Sequence, residues 1–323
     1  FMEPQAGGAC RAGNIYNLLQ RVLYRMVEQG QLEYAQIPVI SLNLMGEEKH
    51  TGFRITPSLL SGGIAAGCYG DLIMCLYQQV KPYEQNPGET DRIRSQVEKK
   101  LCESIRRHRN GRHTREKNYR YACEVFSKVP VKPGKKKRVG ITGEIYMKYS
   151  KLGNDDIESF LLRQGMEPYS GGFVNYCLYL VDTERYKAEK YQHNPIMAKA
   201  CAFVLHRLCE AQKHLLTVIG ETDRFQTDLP FPELKEKVQG ILAEGCNTGD
   251  GWLIAAEVIQ YVEKGCGSVL ILHPFGCLVS HVCERGILQR LHARFPDVSI
   301  QTIEYDYDQS KTLRESRILL AIS

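Results

Sequence analysis

The chain has 323 residues, of which 43% are hydrophobic and 24% are charged, and its formal net charge is +5. These values are ordinary for a globular protein and exclude a disordered chain, a collagen-like fibre and a disulfide-dense miniprotein. At about 150 residues per domain the length favours two domains. No apolar run reaches the roughly 18 residues that a membrane span needs, so we expect no membrane association.

The first part of the chain shows the periodicity of helices. Apolar residues three and four apart predict a helix over 14–29, and the apolar run 37–42 predicts a short buried strand. The segment 58–80 predicts one or two apolar helices with a break near residues 67–70, because glycine disfavours a helix interior.

The next segment carries most of the positive charge. A long basic, amphipathic helical region is predicted over 91–123, interrupted near residues 110–111. From Arg92 to Arg138 there are 17 Lys and Arg against 4 Asp and Glu. A solvated helix face explains this charge best, with a surface for nucleic acid or an acidic partner as the alternative. Aromatic stacking platforms are not interleaved with the charges, which disfavours binding of single-stranded nucleic acid.

Two prolines, a glycine and five basic residues make the stretch 130–138 typical of an interdomain linker. We therefore predict a first α/β domain with a helical basic extension over 1–134. A second α/β domain is predicted over 135–323.

Strands and helices alternate in the second part. We predict strands over 138–146, 268–272 and 298–305, and helices over 154–164 (with Asn154 or Asp155 as N-cap), 174–209 (interrupted at 194–195), 231–243, 252–263 and 281–295. Such alternation implies parallel strands joined by crossover helices. The expected fold is α/β, with two open, mostly parallel small sheets, flanking helices and a cleft between the domains. Ligands of such sheets lie beyond the carboxyl ends of the strands.

The twelve cysteines are the compositional oddity. Their density is below that of small secreted disulfide scaffolds and the start of the chain does not resemble a signal peptide, so we expect a cytoplasmic location. Most thiols are then expected to pack as small apolar residues. No C-x-x-C, H-E-x-x-H, G-x-S-x-G or Walker A motif occurs, which argues against the sites that these motifs form.

Two glycine-rich turns carry a cysteine at a chemically favourable place. Cys10 precedes the first helix, where free N–H groups and the neighbouring Arg11 would stabilise a thiolate, although an idle cysteine in a turn is an equal alternative. Cys277 follows the strand 268–272 and so lies at its carboxyl end. His281 is expected to cap the next helix or to pack in the core, with ligand binding as the alternative. Cys283 is expected in the core.

A third glycine turn, 245–252, opens a helix, and its backbone amides can bind an anion. It lacks the third glycine of a dinucleotide-binding motif.

Asp306 and Asp308 can form a metal carboxylate pair, but a capping turn after the last strand explains them better.

Five motifs occur in this order along the chain: GACRAGNIY (8–16), VGITGEIYMK (139–148), NTGDGW (247–252), PFGCLVSH (274–281) and IEYDYD (303–308). Together they resemble the 2-hydroxyacyl-CoA dehydratase family, and above all the carboxy-terminal region of its large activase-related members. The family is known for oxygen-sensitive iron–sulfur clusters held by cysteines and for anaerobic chemistry. Its members dehydrate 2-hydroxyacyl-CoA thioesters with one electron from an ATP-driven activator, or act as low-potential reductases.

This resemblance implies that Cys10 and Cys277 bind an iron–sulfur cluster of the 4Fe-4S type. It also implies that Arg11, Glu144, Asn247 and Trp252 line the cofactor site, although structural roles explain Glu144 and Trp252 better. Cys246 is not counted among the implied cluster ligands, because the family is expected to have a residue other than cysteine at this position. Two thiolates fall short of the roughly four ligands of a cubane, so the chain alone is not expected to hold a complete cluster. The resemblance implies a further cysteine upstream of residue 1, and another thiol, a carboxylate, water or another subunit are the alternatives.

The first functional hypothesis is therefore an iron–sulfur electron-transfer module that works with an ATPase activator domain or subunit. An acyl-CoA-type substrate or a partner dehydratase is the implied target, and a homo-oligomer is compatible with the resemblance. The alternative is a non-catalytic partner-binding or regulatory module that kept the fold without a complete cluster. A weaker third hypothesis is a nucleic-acid binder that uses the segment 92–138.

Overall fold

The computed structural model describes residues 2–4, 14–33, 40–42 and 56–323. The strands are β1 (Met2–Pro4), β2 (Ile40–Leu42), β3 (Arg138–Gly143), β4 (Glu167–Tyr169), β5 (Cys266–Pro274) and β6 (Ser299–Tyr305). The helices are α1 (Ile15–Glu28), α2 (Pro57–Val80), α3 (Glu89–Arg106), α4 (Arg112–Ser127), α5 (Ile145–Tyr149), α6 (Ile157–Arg163), α7 (Phe173–Lys190), α8 (Pro195–Gly220), α9 (Phe231–Glu236), α10 (Gly251–Glu263), α11 (Arg285–Arg294) and α12 (Lys311–Ile322). A π-helical turn, Ser280–Glu284, leads into α11.

One four-stranded parallel sheet, in the order β4-β3-β5-β6, forms the centre of the described chain. Separately, β1 and β2 pair in parallel over three residues each. The predicted α/β class is confirmed. The described residues form a single sheet of this size rather than two, and the cleft between two domains is not confirmed.

The two faces of the sheet bury different cores, because side chains alternate along each strand. On β5, Val269 and Ile271 join the larger core with α10, α11 and the helices α2–α4 and α7–α9. Leu270 and Leu272 join the smaller core with α5, α6 and α12. Helices from both sides of residue 134 thus share the larger core, and the division at 134 stays a prediction.

Helix α2 is continuous, so the break predicted near residues 67–70 is wrong. Proline at its first position and the Thr56 side chain, which accepts from the Leu59 N–H at 3.1 Å, begin the helix. A Cβ at Gly67 would lie 3.3 Å from Val174 Cγ2. Gly67 therefore permits close packing against α7 rather than ending a helix.

Within the described residues, the segment Ser58–Tyr83 is the one that is long and apolar enough to cross a membrane by length and composition. Core helices of globular proteins share these properties, and α2 contacts α3, α4, α7 and α8. The segment is therefore weak support for a membrane span.

Some of the other helix boundaries agree with the predictions from local sequence signals, and one is shifted. The predicted interruptions at 110–111 and 194–195 are confirmed, and Asn194 caps α8 by accepting from the Met197 N–H at 3.1 Å. The N-cap of α6 is Asp156, one residue later than predicted, because Asp155 and Asp156 both adopt the left-handed conformation before the helix begins. Strand β4 and helix α12 have no counterpart among the predicted elements.

The basic segment forms α3, α4 and the extended connection to β3. Its four glutamates each pair with a basic residue four positions away, in the pairs Arg94–Glu98, Glu103–Arg107, Glu116–Arg120 and Glu124–Lys128. Exposed pairs of this kind contribute little to stability, and the surplus positive charge lies on the solvent-facing side of α3 and α4.

Candidate functional site

The carboxyl edge of the sheet begins with a backbone arrangement that requires glycine. Gly143, the last residue of β3, has φ +130°, and a Cβ there would overlap the Leu272 carbonyl oxygen. The next residue, Glu144, donates its N–H to that same oxygen at 2.8 Å. The sequence Gly-Glu therefore places a carboxylate directly beyond β3 and beside β5.

Glu144 and Asp250 are two acids held close together at this edge. Glu144 Oε2 accepts from the Met147 N–H at 3.0 Å and caps α5, while burial raises the pKa of its carboxyl. Burial also raises the pKa of Asp250 well above its usual value, and the neighbouring Glu144, Glu284 and Glu257 carboxyls add to this effect. Both groups are therefore biased toward the neutral form.

The turn before α10 is closed by a backbone hydrogen bond. The Trp252 N–H donates to the Cys246 carbonyl oxygen at 2.9 Å. A Cβ at Gly251, whose φ is +31°, would overlap that oxygen, so the turn depends on glycine there. Asn247 in this turn is 6% exposed, and its Nδ2 has no hydrogen-bond partner.

Three half-buried thiols lie along this edge. Cys283 hydrogen-bonds with Cys246 and is within electrostatic range of Cys277, and we call Cys246, Cys277 and Cys283 the three-thiol site. Burial raises the pKa of Cys283 to about 11, followed in size by the effects of Cys246, Glu284 and Cys277. Burial likewise raises the pKa of Cys277, and hydrogen bonds with Ser280 partly offset it. The expectation that Cys283 packs in the core is wrong, since it lies beside other thiols outside both apolar cores.

Glu284 adds an unusual carboxyl group next to the thiols. It is 1% exposed, its Oε1 accepts from the Ser280 hydroxyl at 2.7 Å, and its Oε2 has no partner. Burial raises its pKa to about 8, and the Glu144 carboxyl contributes in the same direction. Glu284 consequently holds a proton at neutral pH.

A buried ion pair lies beside these acids. Lys148 Nζ contacts Glu257 Oε1 at 2.7 Å, and the Thr142 hydroxyl donates to Glu257 Oε2 at 2.5 Å. Lys148 therefore brings its positive charge to Glu257, and not to Glu144, Asp250 or Glu284. The edge holds more carboxyl groups than this one ammonium neutralises.

A second set of candidate ligands lies between β5 and β6. His273, His281 and Glu304 each offer one ligand atom, and these atoms lie within 4.8 Å of one another. We call this set the histidine site. The His281 ring meets the His273 ring edge-on, with centroids 5.4 Å apart. His281 thus contacts another candidate ligand, in addition to its place in the π-helical turn.

The structure brings together only part of the predicted site. Cys277, Glu144 and Asn247 lie at the carboxyl edge as expected, whereas Cys10 and Arg11 lie outside the described residues. Trp252 is 1% exposed, with its ring 5.1 Å from Tyr179 and 5.8 Å from Phe231 between centroids. Those contacts are core packing, and its role beside a cofactor stays a prediction.

Asp306 and Asp308 form the expected turn. The Asp308 N–H donates to Asp306 Oδ1 at 3.2 Å, and Tyr307 between them is 98% exposed. This local bond is typical of an Asx turn after a strand.

Sequence reasoning missed Cys246, Cys283, Asp250 and Glu284. Counting six residues of α-helix from Cys277 places Cys283 on a different face, but the π-helical turn changes that register. Asp250, between Gly249 and Gly251 at the start of α10, was a usable signal because it belongs to a glycine turn that opens a helix.

The three-thiol site offers the donor type that can hold a metal or an iron–sulfur group. Thiolates are the usual ligands of such clusters, and three are present here with carboxylates as neighbours. The raised pKa values of Cys277 and Cys283 mean that both thiols must lose protons when metal binds. Comparison with protein-family models, with curated proteins and with solved structures finds no match for this chain.

Proposed function

We propose that this chain is an iron–sulfur electron-transfer module related to 2-hydroxyacyl-CoA dehydratases and their ATP-driven activators. The observation that carries the proposal is the hydrogen bond between Cys283 and Cys246, with Cys277 in electrostatic range, at the carboxyl edge of a parallel sheet, where ligands of this fold class lie. A bound cluster would supply one-electron transfer at low potential.

The surroundings of the thiols support such a role. Trp252, Tyr179 and the apolar face of α10 lie directly behind the turn that carries Cys246 and exclude water from that side. The turn and the strand ends are held by backbone hydrogen bonds, so the thiols are positioned by rigid elements.

Glu284 adds a carboxyl group that can carry a proton to the three-thiol site. Its carboxyl is protonated at neutral pH, and the unpartnered Oε2 is the atom that can hold or release the proton. Buried carboxyls with a pKa near neutrality are typical of acid–base groups. A proton donor beside an electron carrier suits a module that reduces or dehydrates a thioester.

We further propose the partners that the motif resemblance implies. An ATPase activator domain or subunit would deliver the electron, and an acyl-CoA-type substrate or a partner dehydratase would receive it, in the cytoplasm and away from membranes. Cys10 would add a fourth thiolate, which brings the count to that of a cubane.

The test is anaerobic reconstitution of the full chain with iron and sulfide, followed by assay of bound iron, bound sulfide and visible absorption. We expect bound iron in the wild-type chain and its loss in Cys277→Ser and Cys283→Ser. Cys102→Ser is the matched control, because Cys102 is exposed on α3. Cys10→Ser measures whether the fourth thiolate is needed.

Two results contradict the proposal. One is a wild-type chain that binds no iron under these conditions. The other is iron that persists unchanged in Cys277→Ser and Cys283→Ser. Either result favours the partner-binding or regulatory alternative, in which the fold persists without a cluster.

A further inference from the structure

The histidine site is built from three rigid pieces of the fold. His273 and Glu304 are opposite each other in the parallel register of β5 and β6. They point to the same face as Val269, Ile271 and Ile300, which is the face that α11 and the π-helical turn cover. His281 lies in that turn, and its ring packs edge-on against the His273 ring.

His273 has an unusual environment for a structural histidine. It is 0% exposed, yet its Nε2 has no hydrogen-bond partner and its Nδ1 reaches only the neighbouring Pro274 carbonyl at 3.4 Å. Buried polar groups normally find a partner, because an unpaired one destabilises the fold. A group that binds the free nitrogen would remove this penalty.

Glu304 is already held in position. The Arg285 guanidinium contacts its Oε2 at 2.6 Å, which fixes the carboxylate and leaves Oε1 available. A basic residue that orients a ligating carboxylate is a common feature of metal sites in proteins.

We propose that His273, His281 and Glu304 bind a divalent transition metal of the zinc class. Two imidazoles and one carboxylate suit zinc and its neighbours in the first transition row, whereas magnesium and calcium prefer oxygen ligands alone. Three protein ligands leave one coordination position open for water or a substrate group.

This proposal is independent of the iron–sulfur module. The histidine site contains no cysteine, and the three-thiol site contains no histidine. The two sites therefore give different signals with the same probe metal, and either can fail while the other holds.

The experiment uses the full chain, freed of metal by a chelator, reduced, and titrated with Co²⁺ under argon. Nitrogen and oxygen ligands give weak visible bands alone, whereas thiolates add an intense near-ultraviolet charge-transfer band. We expect one equivalent of the bound cobalt to lack the charge-transfer band, whatever the thiols bind. This equivalent should persist in the double variant Cys277→Ser/Cys283→Ser. Zn²⁺ added afterwards should displace it.

Ligand variants then locate the metal. His281→Ala and Glu304→Gln should each weaken Zn²⁺ binding at least about 100-fold by calorimetry. His113→Ala is the matched control, because His113 is exposed on α4, and it should bind as wild type. His281 and Glu304 are only half-buried, so both variants should keep the wild-type circular dichroism spectrum.

Three outcomes overturn the proposal. The wild-type chain binds no Co²⁺ or Zn²⁺, or all bound cobalt shows the charge-transfer band, or Zn²⁺ affinity is unchanged in both ligand variants. If one variant unfolds, the other variant and the wild-type cobalt spectrum still decide.

Discussion

The two edges of the central sheet differ in whether certain buried polar side chains have hydrogen-bond partners. At the amino edge, Arg138 contacts Glu167 at 2.6 Å, the Lys264 carbonyl oxygen at 3.0 Å and Gln226 Oε1 at 2.8 Å. At the carboxyl edge, Asn247, His273 and Glu284 each keep a buried atom without a partner. Satisfied networks stabilise a fold, whereas an unpaired buried atom is one that a bound group can satisfy.

One acid near each edge shows a matching contrast in its pKa. Near the amino edge, burial opposes ionisation of Glu84, but hydrogen bonds from Lys81, Gly88 and Thr90 outweigh it and lower its pKa to about 2. Near the carboxyl end of β4, burial raises the pKa of Asp71 to about 7. The surroundings of Glu84 therefore stabilise its charge, and those of Asp71 disfavour it.

The largest effect is expected at the glycine that forms the carboxyl edge. Gly143→Ala forces a side chain into the Leu272 carbonyl at a positive φ, and we expect a loss of about 4 kcal/mol or more in the free energy of unfolding. Urea denaturation measures it. Gly286→Ala in α11 is the control: nothing lies near its Cβ, so it should be neutral or slightly stabilising. Equal midpoints for both variants would contradict this account.

The next effect compares the ion pairs of the two edges. Lys148→Met leaves Glu257 buried without its cation and should cost about 3–5 kcal/mol. Arg138→Met should cost less, about 1–3 kcal/mol, because the Arg138 and Glu167 side chains are 15% and 6% exposed, whereas those of Lys148 and Glu257 are both 3% exposed. Adding Glu257→Gln to Lys148→Met should recover most of the loss, since the unpaired charge disappears. A double variant no more stable than Lys148→Met alone would show that the pair matters for packing instead of charge.

Local signals in the sequence predicted those parts of the fold that depend on neighbouring residues. The Asn-Pro pair at 194–195 ends one helix and caps the next, and the interruption at 110–111 is also confirmed. Gly67 misled the prediction, because the glycine serves packing against Val174 and not the helix itself. Strand β4 has three residues with a proline in the middle, which an edge strand tolerates but a pattern search does not find.

The candidate site was less predictable, because it depends on how separate elements are brought together. Cys277 was found from its place after a strand. Cys283 was missed because a π-helical turn changes the helical register. The proximity of His273 and Glu304 depends on the pairing of β5 with β6, and no local pattern encodes that register.

An effect of pH on stability follows from the contrast in acid pKa values. The folded chain keeps the Asp71 proton up to about pH 7, whereas the unfolded chain releases it near pH 4. Stability should therefore be full below about pH 4, fall by about 4 kcal/mol as the pH rises to 7, and stay level above. Asp71→Asn should remove this slope, measured as urea midpoints at several pH values. Glu84→Gln has the opposite sign, because the contribution of Glu84 is present above about pH 4.5 and is lost as the pH falls toward 2.

The smallest effect separates packing from function at Trp252, which lies at the carboxyl edge but has the environment of a core residue. Trp252→Phe keeps an aromatic ring against Tyr179 and Phe231, and we expect a loss of about 1–2 kcal/mol in stability with unchanged iron content after reconstitution. Phe231→Leu, on the opposite side of the same contact, is the matched control and should behave alike. Loss of iron in Trp252→Phe with iron retained in Phe231→Leu would instead mean that the indole belongs to the cofactor site. The carboxyl edge would then extend one layer deeper into the protein than its unpaired atoms indicate.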